Sequence, residues 1–400
     1  MTAPPLYAST RGHGPVALVD ALLQGLAPDR GLYLPEHLPA LVLPPAGPLA
    51  AIGPTAVAPF LPDGDASPVG DTFAFDTPLV PAERLLGSGG FLLDLTRGPT
   101  AAFKDVGARF LARVLSTLAP RTPGPVRTVL VATSGDTGGA VAAAFHGVPG
   151  FRVIVLFPAD RVSPRQRRQF TTLGDDVIAL GVDGPFDACQ RLVKEALARP
   201  DWREPLRLTS ANSINIGRLI PQTTWFVKAF ADLRGQGEPL FVVPSGNLGH
   251  LTAGLMAAEM LGTQARFLAA VNDNDAFLAW REGRAPRSAE TVATPSTAMD
   301  VGRPSNLERI EALVARRPGL DRRIEVRSIS SAETMATMQS AHADTGRFLD
   351  PHTAVGVAAL RARERESGPR GGPAVVLSTA DAGKFPDTVR EATGRTPPGP

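Results

Sequence analysis

Lysine is almost missing from this 400-residue chain: Lys104, Lys194, Lys228 and Lys384 stand against 37 arginines. A chain that writes its positive charge as arginine has no electrostatic need for lysine. What lysine alone offers is an amine that can deprotonate and attack a carbonyl. Lys104 lies in GPTAAFKDVGARF, between apolar neighbours and one acid. It is therefore a candidate for imine chemistry, although the bare pattern serves an ordinary structural lysine equally well.

Cysteine is rarer still. A single Cys189 excludes an internal disulfide and fits a reducing compartment. Its setting, FDACQRLVKEALAR, is a helical pattern in which it reads as a packed small residue. Long apolar runs are also missing, because each is broken by proline or glycine, so no membrane span or membrane partner is expected. The opening MTAPPLYASTRG lacks a basic-then-apolar leader pattern, and a cytoplasmic protein is the expectation. A formal net charge of +2, with no basic block interleaved with aromatics, gives no reason to expect a nucleic-acid partner. The six histidines show no metal-ligand spacing, so no metal site is expected. No nucleophile elbow of the G-x-S-x-G type occurs.

What is present is ample apolar material, 43% of residues, for a soluble protein of two or three domains. The first ninety or so residues read as a separate unit: a helical pattern, VALVDALLQGL, then proline-rich connections. From GFLLDL onward strand-like and helical runs alternate: TVLVAT then GAVAAAFHG, RVIVLF then SPRQRRQFTTL, PLFVVP then LTAGLMAAEML. AVVLST is a late strand. This alternation predicts α/β architecture with parallel sheets covered by helices. The tail GRTPPGP is expected to be disordered.

Two segments share one grammar. VLVATSGDTGGAVAAAF and FVVPSGNLGHLTAGLMAAEM each run from an apolar strand through a Ser-Gly-rich turn into a small-residue helix. Glycines let backbone N–H groups approach a ligand, and the helix N-terminus adds partial positive charge. Either loop by itself is equally a tight strand-to-helix connection, and neither is a Walker loop. Two of them beside a sequestered lysine favour a phosphate-bearing aldehyde cofactor and an amino-acid substrate with a carboxylate.

The ordered motifs STRG, GLAPDRGLYLPE, GPTAAFKDVGARF, ATSGDTGGAVAAAF, VSPRQRRQFTTLG, SANSINIGRLIPQ, PSGNLGHLTAGL, AMDVGRPSNLERI, PHTAVG and STADAGKF span nearly the whole chain. By these motifs it resembles the threonine synthases, pyridoxal 5'-phosphate enzymes of the tryptophan-synthase-β-like fold (fold type II). The resemblance implies two parallel-sheet α/β lobes with the cofactor in the cleft between them, after a family-specific N-terminal region. It places that region at residues 1–90, the larger cofactor-binding lobe at 91–110 and 206–400, and a smaller lobe, expected to close over the cleft, at 111–205. Lys104 matches the family's Schiff-base lysine. Ser245, Gly246, Asn247, Leu248, Gly249 and His250 match its cofactor-phosphate cradle, and Thr379 matches the hydroxyl facing the pyridine nitrogen. Ser134, Asp136 and Thr137 match the loop that holds the substrate amino acid. Asn212, Ser213 and Arg218 match residues that meet a substrate phosphate. Phe103 and Asp105 read as structural support for the lysine.

The implied reaction makes L-threonine and phosphate from O-phospho-L-homoserine and water, and the implied partner is that small phosphorylated amino acid. Monomer and homodimer both remain open. The chain departs from the usual family residues at Arg30, Arg97, Ala101, Leu248 and His250, and has Asp381, Ala382 and Gly383 where His-Pro-Ala is common. These departures leave a second reading open: a specialised paralogue acting on another β- or γ-substituted amino acid, or adding another nucleophile.

Overall fold

In the computed structural model, residues 3–118, 125–174, 176–288, 290–368 and 371–399 are described. Two open sheets organise the chain. The six-stranded sheet runs in the order Ile324–Ser328, Arg266–Val271, Leu240–Pro244, Ala374–Ser378, Gly90–Asp94 and Leu79–Pro81. All its pairings are parallel except the last, Leu79–Pro81 against Gly90–Asp94. The four-stranded sheet is parallel throughout, in the order Val177–Val182, Phe151–Pro158, Arg127–Ala132 and Thr209–Ser210. Its edge strand Thr209–Ser210 therefore lies beyond residue 205, where the sequence placed the end of the smaller lobe.

The central strands of the larger sheet form where the sequence is most nearly apolar. Every residue of Leu240–Pro244 is buried, as expected of a central parallel strand covered on both faces. The helix Gly249–Leu261 is apolar almost all round because it, too, is enclosed. At Gly254 a Cβ would come within 2.7 Å of the Phe267 ring and 2.9 Å of the Phe226 ring, so only glycine lets this helix lie so close to the sheet. By contrast Lys104–Leu118 is amphipathic: Val106, Phe110, Leu111 and Val114 face inward, and Arg109 and Arg113 reach Asp71.

The N-terminal region does not build a core of its own. Tyr7–Ser9 pairs antiparallel with Tyr33–Pro35. Leu22, Tyr33, Phe60 and Phe73 join the same continuous buried cluster as Phe110 and Phe226. At the other end residues 396–399 carry no helix or strand, yet Pro397 is buried; Pro400 lies outside the described residues.

The strands deliver their C-terminal ends to one place. Arg127–Ala132 leads into the turn before helix Asp136–Phe145, Leu240–Pro244 into the turn before helix Gly249–Leu261, and Ala374–Ser378 directly into Thr379. Crevices outside the carboxyl ends of parallel strands are where such folds hold ligands.

Candidate active site

Lys104 opens the helix Lys104–Leu118, and its backbone is held on two sides. Asp105 accepts from the Thr100 amide at 2.9 Å and its hydroxyl at 2.6 Å, while the Phe103 amide donates to the Thr379 carbonyl at 2.9 Å. The turn between them places Ala101 at φ 53°, a left-handed conformation that the small alanine side chain tolerates. Phe103 and Asp105 thus support the lysine as the sequence suggested.

The Lys104 amine sits 3.6 Å from Asp136 Oδ2. Burial pushes its pKa below the usual lysine value; Asp136 pulls the other way, and Lys384 and Arg218 add to the depression. The Asp136 carboxyl is shifted as well. Burial alone would raise its carboxyl, but Lys384 and Lys104 outweigh burial and hold it well below the usual carboxylate range.

That second lysine was not found in the sequence. Lys384 Nζ lies 2.8 Å from Asp136 Oδ1 and donates to the Thr100 carbonyl at 2.7 Å, with its side chain almost wholly buried. Gln166 also donates to Asp136, at 2.8 Å. The signal was in plain view, since STADAGKF carries one of only four lysines, but nothing local says that it reaches Asp136. Thr133 was missed as well: its hydroxyl oxygen accepts from the amides of Gly135 (2.9 Å) and Gly138 (2.8 Å), closing the first turn.

The second turn leaves its amides open. Leu248 stands at φ 60°, and no acceptor among the described residues takes the N–H groups of Gly246, Asn247 or Leu248. The side chain of Asn247 is already engaged: it donates to Ser213 Oγ at 2.8 Å and accepts from the Ser305 amide at 2.5 Å. Asn306 closes this knot by donating to the Asn247 carbonyl (2.8 Å) and to Ser213 Oγ (3.1 Å). Any anion here would meet backbone, not the Asn247 amide group. Ser245 Oγ likewise turns back to the Val243 carbonyl at 2.7 Å.

His250 begins the following helix stacked on Phe103, 4.4 Å between centroids and 9° between planes. Its Nε2 accepts from Trp225 Nε1 at 2.9 Å, so the ring proton resides on Nδ1, which has no partner. Burial, with the Lys104 charge, drops its pKa to about 3, so the ring is neutral. Thr379 is buried, and its hydroxyl makes no hydrogen bond among the described residues. His352, also missed, faces the same cavity: Asp350 holds its Nδ1 at 2.8 Å and its Nε2 accepts from the Ala298 amide at 3.1 Å.

Every residue nominated from the sequence lines one cavity: Lys104, Ser134, Asp136, Thr137, Asn212, Ser213, Arg218, the whole stretch 245–250 and Thr379. Their free valences differ. Asn212 is spent on strand Arg127–Ala132, accepting from the Ala132 amide at 2.9 Å and donating to its carbonyl at 2.6 Å. Arg218 is buried, donates through Nη1 to the Ala211 carbonyl, and keeps Nε unpartnered. It ion-pairs with no carboxylate among the described residues, and burial lowers its pKa to about 10. Of the departures, Leu248 and His250 line the cavity. Arg97 turns outward to Asp94 (3.0 Å), and Asp381 caps the turn to Gly383 (2.7 Å).

A buried amine of lowered pKa, three orphan amides at a helix N-terminus and a free buried hydroxyl fit pyridoxal phosphate. No His, Cys, Asp or Glu grouping suited to a metal occurs among the described residues, nor a helix long and apolar enough to cross a membrane. A Cβ on Gly246 would lie 2.7 Å from Met299 Cα, so even alanine there must displace the Ala298–Met299 backbone that closes the turn. Gly246→Val is expected to lose most of its cofactor on dialysis, retaining it at least about tenfold more weakly than wild type. Cofactor content by absorbance after dialysis checks this, and full retention would detach the turn from phosphate binding.

Residues 71–380 match the family of pyridoxal-phosphate dependent enzymes, and residues 6–44 match the threonine synthase N terminus. The chain is 37% identical over 395 residues to threonine synthase of Escherichia coli, covering 95% of this chain and 89% of that one. The crystal structure of threonine synthase from Escherichia coli superposes with a TM-score of 0.89 at 34% identity, covering 98% of this chain and 92% of that chain. The structure of threonine synthase from Brucella melitensis with bound PLP gives 0.85, at the same identity and coverage.

Proposed function

Because the chain belongs to the threonine synthases among the pyridoxal-phosphate-dependent enzymes, we propose that it converts O-phospho-L-homoserine and water to L-threonine and phosphate. The observation that carries the phosphate part of this reading is Arg218, a buried guanidinium in the cavity wall that forms no ion pair among the described residues, Asp105 acting on it only from a distance. A buried cation with no carboxylate in ion-pair contact is costly, and an arriving anion would lower that cost.

Pyridoxal phosphate, when bound, supplies an electron sink conjugated to the substrate amine nitrogen. The chain's own groups do the rest. Lys104 would carry the cofactor, and its amine, made less basic by burial, would take the proton from Cα; loss of a Cβ proton lets phosphate leave with the Cγ–O bond pair, and protons are returned to Cγ and, after water has added at Cβ, to Cα. The amides of Gly246, Asn247 and Leu248, backed by the helix Gly249–Leu261, hold the cofactor phosphate. Thr379 offers a neutral hydroxyl to the pyridine nitrogen. The free Ser134 amide and the helix start at Asp136 and Thr137 receive the substrate carboxylate, while Asp136 stays ionised between Lys104 and Lys384. Arg218 and the Ser213 hydroxyl meet the leaving phosphate, and Asn212 positions them through Ala132. Water then adds at Cβ inside a cavity walled by Phe103, Phe186, Met299 and Val301.

The smaller lobe closes over this cleft in the reading proposed here, hinged where residues 381–385 meet it: Ser163 Oγ donates to the Lys384 carbonyl at 3.0 Å and Arg165 to the Gly383 carbonyl. A cytoplasmic protein, monomeric or homodimeric, completes the reading.

Phosphate release from O-phosphohomoserine, with product analysis, tests it. Wild type should yield threonine. Arg218→Ala should be slower by about ten- to a hundredfold, the worth of one desolvated charge-assisted contact, and Arg218→Lys should recover part of the loss. Phosphate release unaffected by Arg218→Ala would remove that residue from the phosphate site. A wild type that yields no threonine would favour the specialised-paralogue reading.

A further inference from the structure

Away from the catalytic cavity, a depression of about 770 Å³ opens between the N-terminal region and the outer edge of the four-stranded sheet. Its polar wall is one-sided. Arg30, Arg127, Arg203, Arg207 and His13 line it against a single carboxylate, Glu204. Apolar surface from Leu23, Leu26, Leu197 and Leu208 completes the wall. We propose that this depression is a second ligand site, selective for small anions carrying two or more negative charges.

Three observations converge on it. Arg30, Arg127 and Arg203 ion-pair with no carboxylate among the described residues, although Glu204 shares the wall with them. Asp29, next to Arg30, has its carboxylate taken by Ser9 Oγ (2.8 Å) and by the amides of His13 and Gly31 (2.9 Å each). Arg127 is partly buried, and that burial together with the neighbouring Arg207 charge pulls its pKa down. The fold thus holds two guanidiniums in mutual repulsion, which an anion would relieve. Finally, two of the four arginines stand in left-handed backbone, Arg30 at φ 64° and Arg207 at φ 48°. Arginine gains nothing from that conformation where glycine would fit, and such strain gathers at ligand sites.

The chemistry of the wall sets the ligand class. Guanidinium forks match the paired oxygens of phosphate or carboxylate, and a concave basic wall focuses its field on a multiply charged guest. The leucines leave room for a small apolar body. The site adjoins the segment serving the catalytic cavity, because the Leu22 carbonyl beside it accepts from Thr209 Oγ1 (3.0 Å) and Asn215 Nδ2 (2.9 Å).

The test is calorimetric titration of cofactor-loaded protein, whose catalytic phosphate cradle is filled, with pyrophosphate and separately with citrate. At least one should bind with Kd below about 1 mM, and the stronger of the two identifies a phosphate or a carboxylate guest. Arg127→Gln/Arg203→Gln should weaken binding by about tenfold or more, and rising salt should weaken it in wild type. Arg218→Lys, in the other cavity, should leave it unchanged. Should the double variant fail to fold, judged by circular dichroism, Arg30→Gly removes one guanidinium while relaxing the backbone and should weaken binding by about threefold or more. Absence of binding for both probes, binding indifferent to the arginine variants, or binding lost in Arg218→Lys would each overturn the proposal.

Discussion

Lys104→Ala should abolish turnover, by roughly 10⁴-fold or more, together with covalent cofactor attachment, while the protein stays folded. One side chain is asked both to hold the cofactor and to move protons, and a positioned acid–base group alone is worth about 10²–10⁴. The loss of attachment is read without any assay of turnover. Borohydride reduction of wild type should leave a protein heavier by the reduced cofactor, and the variant should show no such mass. The fold should survive because Asp136 keeps Lys384 at 2.8 Å and Gln166 as partners.

The remaining lysines give the contrast. Lys194 donates to Ser305 Oγ at 3.0 Å, outside the cavity, and its alanine variant should retain most activity. Lys228 is not the tolerant helix-surface lysine that its helical pattern suggests. It is buried and paired with Asp232 at 2.5 Å, so Lys228→Ala should keep the cofactor adduct but lose about 1–3 kcal/mol of stability. Retention of the adduct in Lys104→Ala, or its loss in Lys194→Ala, would refute the assignment.

Lys384→Met should be the most destabilising single change in the site, by about 3–5 kcal/mol near neutral pH, because it removes the nearer of the two lysines paired with a buried carboxylate and leaves Lys104 and Gln166. In wild type the folded-state pKa of Asp136 is depressed. Its pairing therefore contributes stability above the ordinary carboxylate pKa, and this is lost as pH falls through the lower folded-state value. Without Lys384 burial is opposed by less, the carboxyl pKa rises, and the more weakly paired charge is relieved by protonation in acid. The deficit against wild type should thus be full at about pH 8 and shrink toward about pH 5. Urea midpoints at the two pH values measure this. A deficit that does not change with pH would mean that Lys384 serves packing and not the Asp136 charge. Lys384→Met should also alter cofactor absorbance, since Asp136 then faces Lys104 alone, and Lys384→Arg should recover part of the stability.

Much of the cofactor side was legible without coordinates. The lysine imbalance drew attention to Lys104, and the repeated strand–turn–helix grammar to the two turns that line the cavity with it, because glycine turns and helix starts are contiguous features that spacing reports directly. The departures could be seen but not placed. Arg97 and Asp381 look adjacent to the site in the chain, yet their side chains turn to Asp94 and to the Gly383 amide. Asn212 and Asn247 were read as ligand contacts, but Ala132, Ser213 and Ser305 occupy their side chains.

The sequence by itself determined the α/β alternation and the family and nominated Lys104 as the candidate amine, since these depend on residue type and local order. Only the tertiary structure decided which charges meet. Lys384 comes to Asp136 because a C-terminal turn crosses from the six-stranded sheet to the four-stranded one. His250 keeps its proton on Nδ1 because Trp225, on another helix, donates to its other nitrogen. Arg218 lines the cavity without an ion-pair partner among the described residues, and Arg127 is crowded by Arg207, for the same reason. The protonation and pairing of a buried group are set by burial and by partners distant in sequence, and these exist only once the chain has folded and brought those partners together.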